Sequence, residues 1–276
     1  MQAEPLPYDM GNAGDLIKHG LIAEFCEWWL ENYNGIFRLI DPFAGRPYVS
    51  PPNPEVSRRI QQLAPCALKR AQRDIDRCYY GSGNVIRQVA QVMNREAQVY
   101  ISDRNEKAIA DFLEAGFLRI NCKGFNHQES FSILDCAFDP DKPSFLLLDP
   151  FDDFLPEYAS SQVPKLREFI LNNGVPVALF VLFQEESSAQ ENGDLARKWQ
   201  ALKDAYLARD IFSISLTCPK LPSSVVAGET RFDSEITLLL QVGYGSESFR
   251  TLTERLQMFS ELAGKILGRP VRFACG

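Results

Sequence analysis

Three aspartates close short runs of strand-forming residues: Asp41 ends GIFRLID (35–41), Asp103 ends AQVYISD (97–103) and Asp149 ends SFLLLD (144–149). Open α/β sheets bind ligands beyond the carboxyl ends of their strands, so each carboxylate falls where a ligand would sit. An ionised carboxylate has about four lone-pair sites, enough for Asp103 to accept both hydroxyls of a ribose. Asp149 is followed by Pro150, Phe151 and Asp152, which sets a carboxylate, a backbone carbonyl and an aromatic ring side by side. In the turn after Asp41, DPFAGRP, Gly45 marks a point where backbone must pass close to a ligand and a Cβ would collide or forbid the turn. Singly, each aspartate reads as an ordinary strand end. Three on strands lining one crevice point to a bound adenosine compound.

The elements that must position these residues alternate between buried strand and helix, the pattern of a parallel sheet covered on both faces. Leu16, Ile17, Leu21, Ile22, Phe25, Trp28 and Trp29 fall on helical spacing and predict an amphipathic helix over 14–33. Strands are expected at 35–41, 97–103, 117–120 (FLRI), 144–149, 175–183 (VPVALFVLF), 210–216 and 234–244, with a final helix near 249–267. Together they predict one domain over 1–276, built on a doubly wound, mostly parallel sheet of seven strands. Residues 50–80 interrupt the alternation and read as a helical, basic insertion. No G-x-G-x-x-G follows the first strand, and GSGN (81–84) reads as a turn with a helix cap around Ser82.

Bulk composition narrows the classes. With 45% apolar residues the chain can bury a sizeable core, and no apolar run approaches the length of a membrane span. The seven cysteines are scattered without C-x-x-C spacing, which predicts reduced thiols, a cytoplasmic setting and no metal. A net charge of −7 argues against a general nucleic-acid coat. Yet Arg58, Arg59, Lys69, Arg70, Arg73, Arg77, Arg87 and Arg95 face only Asp74 and Asp76 in the same stretch, a local balance of +6. That segment reads as a solvated helical surface or as a footprint for nucleic acid, RNA being favoured.

GNAGDLIKHGLIAEF (11–25) resembles the opening helix of RlmJ-type methyltransferases, which methylate N6 of an adenine in large-subunit ribosomal RNA. The matching positions are Gly11, Asn12, Asp15, Lys18 and His19. LIDPFAGRPY, RCYYGSG, YISDRNE and SFLLLDPF resemble that family's later segments in the same order, so the likeness covers about 8–155. The resemblance implies a Rossmann-like class I methyltransferase that uses S-adenosyl-L-methionine (SAM). It brings Lys18 and His19 to the methionine carboxylate, with Asp41, Gly45 and Ser82 lining the cofactor. It further implies that Asp103 holds the ribose and that Gln128 or Glu129 lies near the adenine. Asp149 and the Pro150 carbonyl would accept the two N–H groups of the acceptor amine, with Phe151 stacked on the base. The chain departs from the family at Phe151 and Asp152, where the family has a second proline and a tyrosine. It departs again at Phe43 and Pro47, where the family has a histidine and a glycine. Two further readings therefore stand beside the first: a relative that binds SAM or nucleic acid without methyl transfer, and a methyltransferase acting on a protein or small molecule.

Overall fold

The computed structural model describes residues 10–103, 105–118, 122–124, 133, 144–149, 177–185, 211–222, 231–241 and 246–276. Helix α1 (Ala13–Asn32) starts at Asn12, whose side chain accepts the Asp15 backbone N–H at 2.9 Å, while Asp15 accepts Gly11 N–H at 2.7 Å. This reciprocal pairing is a close variant of the capping box and satisfies two of the orphan donors at the helix start. Gly11 holds φ at +95°, which favours glycine.

Strand β1 (Phe37–Asp41) and the two-residue β2 (Tyr48–Val49) come next, then α2 (Pro54–Gln62) and α3 (Ala67–Ala71). Strand β3 (Tyr79–Tyr80) returns to pair with β2, after which come α4 (Ser82–Val92), β4 (Ala97–Asp103), α5 (Glu106–Glu114) and β5 (Cys122–Gly124). Beyond them are β6 (Phe145–Leu148), β7 (Val177–Glu185), β8 (Ile211–Pro222), β9 (Arg231–Gln241), α6 (Ser246–Leu267) and β10 (Arg272–Cys275).

The main sheet runs β10-β8-β9-β7-β6-β1-β4-β5. From β5 to β7 the neighbours are parallel, and the β7–β9, β9–β8 and β8–β10 pairings are antiparallel. This corrects the expected seven-stranded, doubly wound class I methyltransferase sheet: among the described residues the sheet has eight strands and is mixed, with a separate β2–β3 ribbon.

The differences have local causes. The short β10 buries no run of side chains and is fixed by backbone pairing with β8, so hydrophobic patterning could not reveal it. Of the strand expected at 117–120, Phe117 and Leu118 stand outside any strand, and a strand lies at Cys122–Gly124. Phe117 leaves the Gly116 turn to plug the core, edge-on to Phe112 at 4.9 Å and under the Arg87 guanidinium at 4.2 Å, while Leu118 is exposed. Helix α1 is not amphipathic, because every residue from Ala13 to Leu30 is buried. It packs against α3, α4, α6 and the sheet. Its aromatic residues join those of β1 and β6: Phe37 stacks on Phe145 at 4.2 Å, and Trp29 meets Phe145 edge-on at 4.7 Å. Its acids meet groups of two other helices. Glu27 accepts Arg70 at 2.6 Å, Glu31 accepts Arg255 at 2.8 Å, and Glu24 caps the start of α3 by accepting Ala67 N–H at 2.6 Å.

Close approach of α1 and α6 requires Gly20. A Cβ there would fall 1.7 Å from Cζ of Phe259, whose ring is 1% exposed. Gly20→Ala is therefore expected to destabilise by about 2 kcal/mol through overpacking, although alanine is the better helix former. Urea unfolding checks this, and Phe259→Leu in the same chain should recover most of the loss.

Candidate functional site

Strands β6, β1 and β4 are adjacent and parallel, so their carboxyl ends share one edge of the sheet. From β1 the chain proceeds outward through β4 and β5 on one side, and through β6 and β7 on the other. The resulting break in strand order is where open sheets form a ligand crevice. Asp41, Asp103 and Asp149 stand there, each at most 5% exposed.

Lys18 ties them to α1. Its ammonium lies 2.5 Å from Asp149 Oδ2 and 2.7 Å from Asp15 Oδ1. Burial works to lower the Lys18 pKa, but Asp149 and Asp15 outweigh it, and the amine is held charged above its usual range. Burial works to raise the Asp15 carboxyl, but the same lysine and the Gly11 N–H outweigh it and hold that group below its usual range. One cation cannot neutralise the rest. Burial raises Asp149 despite Lys18, and Asp15 adds to the rise. Asp41 is pushed up to about 8 by burial and then by Asp149, with Asp103 adding and Lys18 opposing. Among the described residues, Asp15, Asp41 and Asp149 thus share one lysine, Lys18.

The turn after β1 is held at almost every residue. Phe43 N–H donates to Asp41 Oδ1 at 3.1 Å, Ala44 N–H to Ser102 O at 3.1 Å, and Gly45 N–H (φ +64°) to Asp103 Oδ2 at 2.9 Å. Arg46 Nη2 pairs with Asp111 at 2.8 Å, and the Pro47 carbonyl accepts Gly81 N–H at 2.9 Å and Asn84 Nδ2 at 3.0 Å. Proline at 47 thus serves as an acceptor. Gly81 is needed because a Cβ would sit 2.2 Å from the Arg46 carbonyl oxygen. Asp103 is also bonded by Asn105 N–H at 2.7 Å, so its carboxylate clasps the β1 turn to the start of α5.

His19 faces β3 and α4. Its Nδ1 lies 2.7 Å from the Tyr79 hydroxyl and its Nε2 lies 3.2 Å from Ser82 Oγ. Burial pushes its pKa down to about 3, so the ring is neutral. The cap of α4 falls on Gly81, not on Ser82, whose side chain turns to the histidine.

Lys18, His19, Asp41, Gly45, Ser82, Asp103 and Asp149 therefore share one hydrogen-bonded and electrostatic neighbourhood. Lys18 holds acids where the resemblance placed it at a ligand carboxylate. Pro150, Phe151, Gln128 and Glu129 lie outside the described residues. Sequence reading gives Asp15 a place in the motif but no role, and it passes over Gln72 and Asp111.

The +6 segment is largely engaged internally. Arg58 and Arg59 bond Glu55, Lys69 bonds the Gln61 and Leu63 carbonyls, and Arg70 bonds Glu27. Arg73 reaches Gln91, Arg87 the Ala115 carbonyl, and Arg95 the Leu30 and Tyr33 carbonyls at the end of α1.

No protein-family model matches the chain, and no curated protein matches it. Its fold is similar to the crystal structure of a Legionella pneumophila protein of family DUF519, with a TM-score of 0.63 and 14% identity over 97% of each chain. At that identity the likeness concerns the fold alone. It associates the eight-stranded mixed sheet with that protein's fold in place of the expected seven-stranded one. Among the described residues, no helix is long and apolar enough to cross a membrane, and no group of His, Cys, Asp and Glu is placed to hold a metal.

The Asp41 shift fixes a sign for pH dependence. Its folded value of about 8 exceeds the ordinary 3.8, so the folded state keeps a proton that the unfolded chain releases. Its contribution is fully present below pH 3.8 and is lost as pH rises through about 8. Glu24, raised to about 6 by burial, adds a smaller loss of the same sign between pH 4.5 and 6. Asp41→Asn should flatten the decline above pH 6 and leave the variant the more stable protein at pH 8, on the order of several kcal/mol at about 1.4 per unit. Urea unfolding from pH 4 to 8 measures it.

Proposed function

We propose that the strand-end cluster binds SAM and that the protein transfers its methyl group to an amino group of a nucleic-acid base. The observation that carries this reading is an excess of acid among the described residues: Asp15, Asp41 and Asp149 share Lys18 at the break in strand order, and Asp103 acts on Asp41 from β4. A ligand bearing a sulfonium and an ammonium supplies the missing positive charge. Desolvated carboxylates attract such groups far more strongly than carboxylates in water do. Asp103 suits the ribose because its position is fixed by two backbone N–H bonds.

Methyl transfer to an aryl amine needs orientation more than acid–base strength, since the nitrogen lone pair is delocalised into the ring. Asp149 would accept one N–H and so turn the lone pair toward the methyl carbon. The adenine-N6 acceptor rests on the likeness of SFLLLDPF to the RlmJ-type family. A second reading, a relative that binds SAM without transferring its methyl, is favoured by the Lys18 bond to Asp149, because that ion pair already engages the carboxylate that would orient the acceptor amine.

Incubation with methyl-labelled SAM and separate RNA, DNA and protein fractions distinguishes these readings. Label is expected in nucleic acid and should fall at least a hundredfold with Asp149→Asn, the order of loss when a positioned polar group is removed. Label in protein alone would move the acceptor to protein. Uptake of SAM without transfer would select the second reading, and no uptake in titration calorimetry would remove both.

A further inference from the structure

Tyr79 reaches the site from 60 residues beyond His19, carried there by the fold of the insertion. Val49 and Tyr48 pair with Tyr79 and Tyr80 in the β2–β3 ribbon. Gln72, fully buried, grips the next residue with both ends of its amide, accepting Tyr80 N–H at 2.8 Å and donating to Tyr80 O at 2.8 Å. Tyr79 is itself 1% exposed, with its hydroxyl against Nδ1 of a histidine that is equally buried. The other nitrogen of that ring meets Ser82, the first residue of the eleven-residue helix α4.

A neutral imidazole has one N–H donor and one acceptor nitrogen, so the two bonds are coupled. If the phenol donates to Nδ1, the ring hydrogen sits on Nε2 and is donated to Ser82 Oγ. The Ser82 hydroxyl proton is then left for a ligand. In the other tautomer Nε2 accepts that proton, and Ser82 presents lone pairs instead. A phenol is the more acidic hydroxyl and the stronger donor, which selects the first arrangement. A donor at a helix start, where the backbone dipole is positive, suits an anionic ligand group.

We infer that Tyr79 is a positioning residue: it fixes His19 as the Nε2–H tautomer, so that Ser82 donates its hydroxyl proton to the carboxylate on the amino-acid part of the ligand. This rests on the SAM reading and assigns the task to a residue that touches no ligand.

The test uses the full chain labelled with 15N-histidine. There are two histidines, His19 and His127, and His19→Gln assigns the signals. The Nε2–H tautomer is expected in the wild type and a mixture in Tyr79→Phe. The Kd for SAM should rise about tenfold in Tyr79→Phe and in Ser82→Ala, and no further in the double variant, because both changes break one chain of hydrogen bonds. Binding of 5′-methylthioadenosine, which lacks the amino-acid carboxylate, should be the same in all four proteins. An Nδ1–H tautomer in the wild type would overturn the inference. So would equal weakening of SAM and methylthioadenosine, the mark of a merely structural role, or unchanged SAM binding in Tyr79→Phe. If the wild type binds neither compound, the SAM reading fails and takes the carboxylate assignment with it, while the tautomer signals still decide whether Tyr79 sets the ring.

Discussion

A lysine buried between two carboxylates is the constraint on which the rest depends. Lys18 reaches Asp15 on its own helix and Asp149 beyond β6, so one ammonium joins the start of α1 to the edge of the sheet. Such a contact is not a cheap source of stability. Taking the ions out of water costs several kcal/mol each, and attraction repays this only with good geometry and further hydrogen bonds. Asp15 has both, through Lys18 and the Gly11 N–H, and its ionised form is favoured. Asp149 and Asp41 do not, and their ionised forms are disfavoured.

The second half of α1 handles charge differently. Glu24, Glu27 and Glu31 meet Arg70 and Arg255 from two other helices, and Arg95 closes the carbonyl end of α1. Acids and bases there alternate across helix contacts and act as fasteners. The insertion between β1 and α4 belongs to the same construction. Its cations fasten helices, its Gln72 grips the β3 backbone, and its end delivers Tyr79 to His19. A segment that in sequence is a basic interruption is, in the fold, one wall of the candidate site.

Much of this was legible, and the limits have physical causes. Strands ending at Asp41, Asp103 and Asp149 announced themselves through apolar runs stopped by an acid, and parallel pairing then aligned the three tips. Lys18 and His19 were singled out by their spacing behind Gly11-Asn12, yet the partners they find in space, Asp149 and Tyr79, are 131 and 60 residues away. No local pattern encodes a contact of that span. The amphipathic reading of α1 failed because periodicity counts Asp15, Lys18, Glu24 and Glu27 as solvent-facing, whereas the fold buries them with partners. The strand count failed at β10, where backbone pairing replaces side-chain burial. The +6 of residues 58–95 is a property of the sequence, but the fold holds Arg70, Arg87 and Arg95 on partners 43, 28 and 65 residues away.

The energetics bear on whether the cluster is a relic. Replacing a buried ionic group as a whole by apolar side chains of similar volume is often neutral or stabilising by about 1–4 kcal/mol, whereas removing a single partner is strongly destabilising. A site without a ligand would gain stability from such a wholesale exchange. The exchange is most favourable where carboxylates outnumber cations, as they do here among the described residues: Asp41 is held mostly protonated near neutral pH, and Asp149 is raised although it touches the lysine. Packing therefore does not explain these acids, and hydrogen bonding explains them only in part, since Asn at 41 could still accept from Phe43 N–H. What an amide could not do is ionise when a cation arrives. A carboxyl that burial holds protonated, as at Asp41, would ionise beside a cation and so favour cationic ligands, a capacity that the fasteners on the far half of α1 lack.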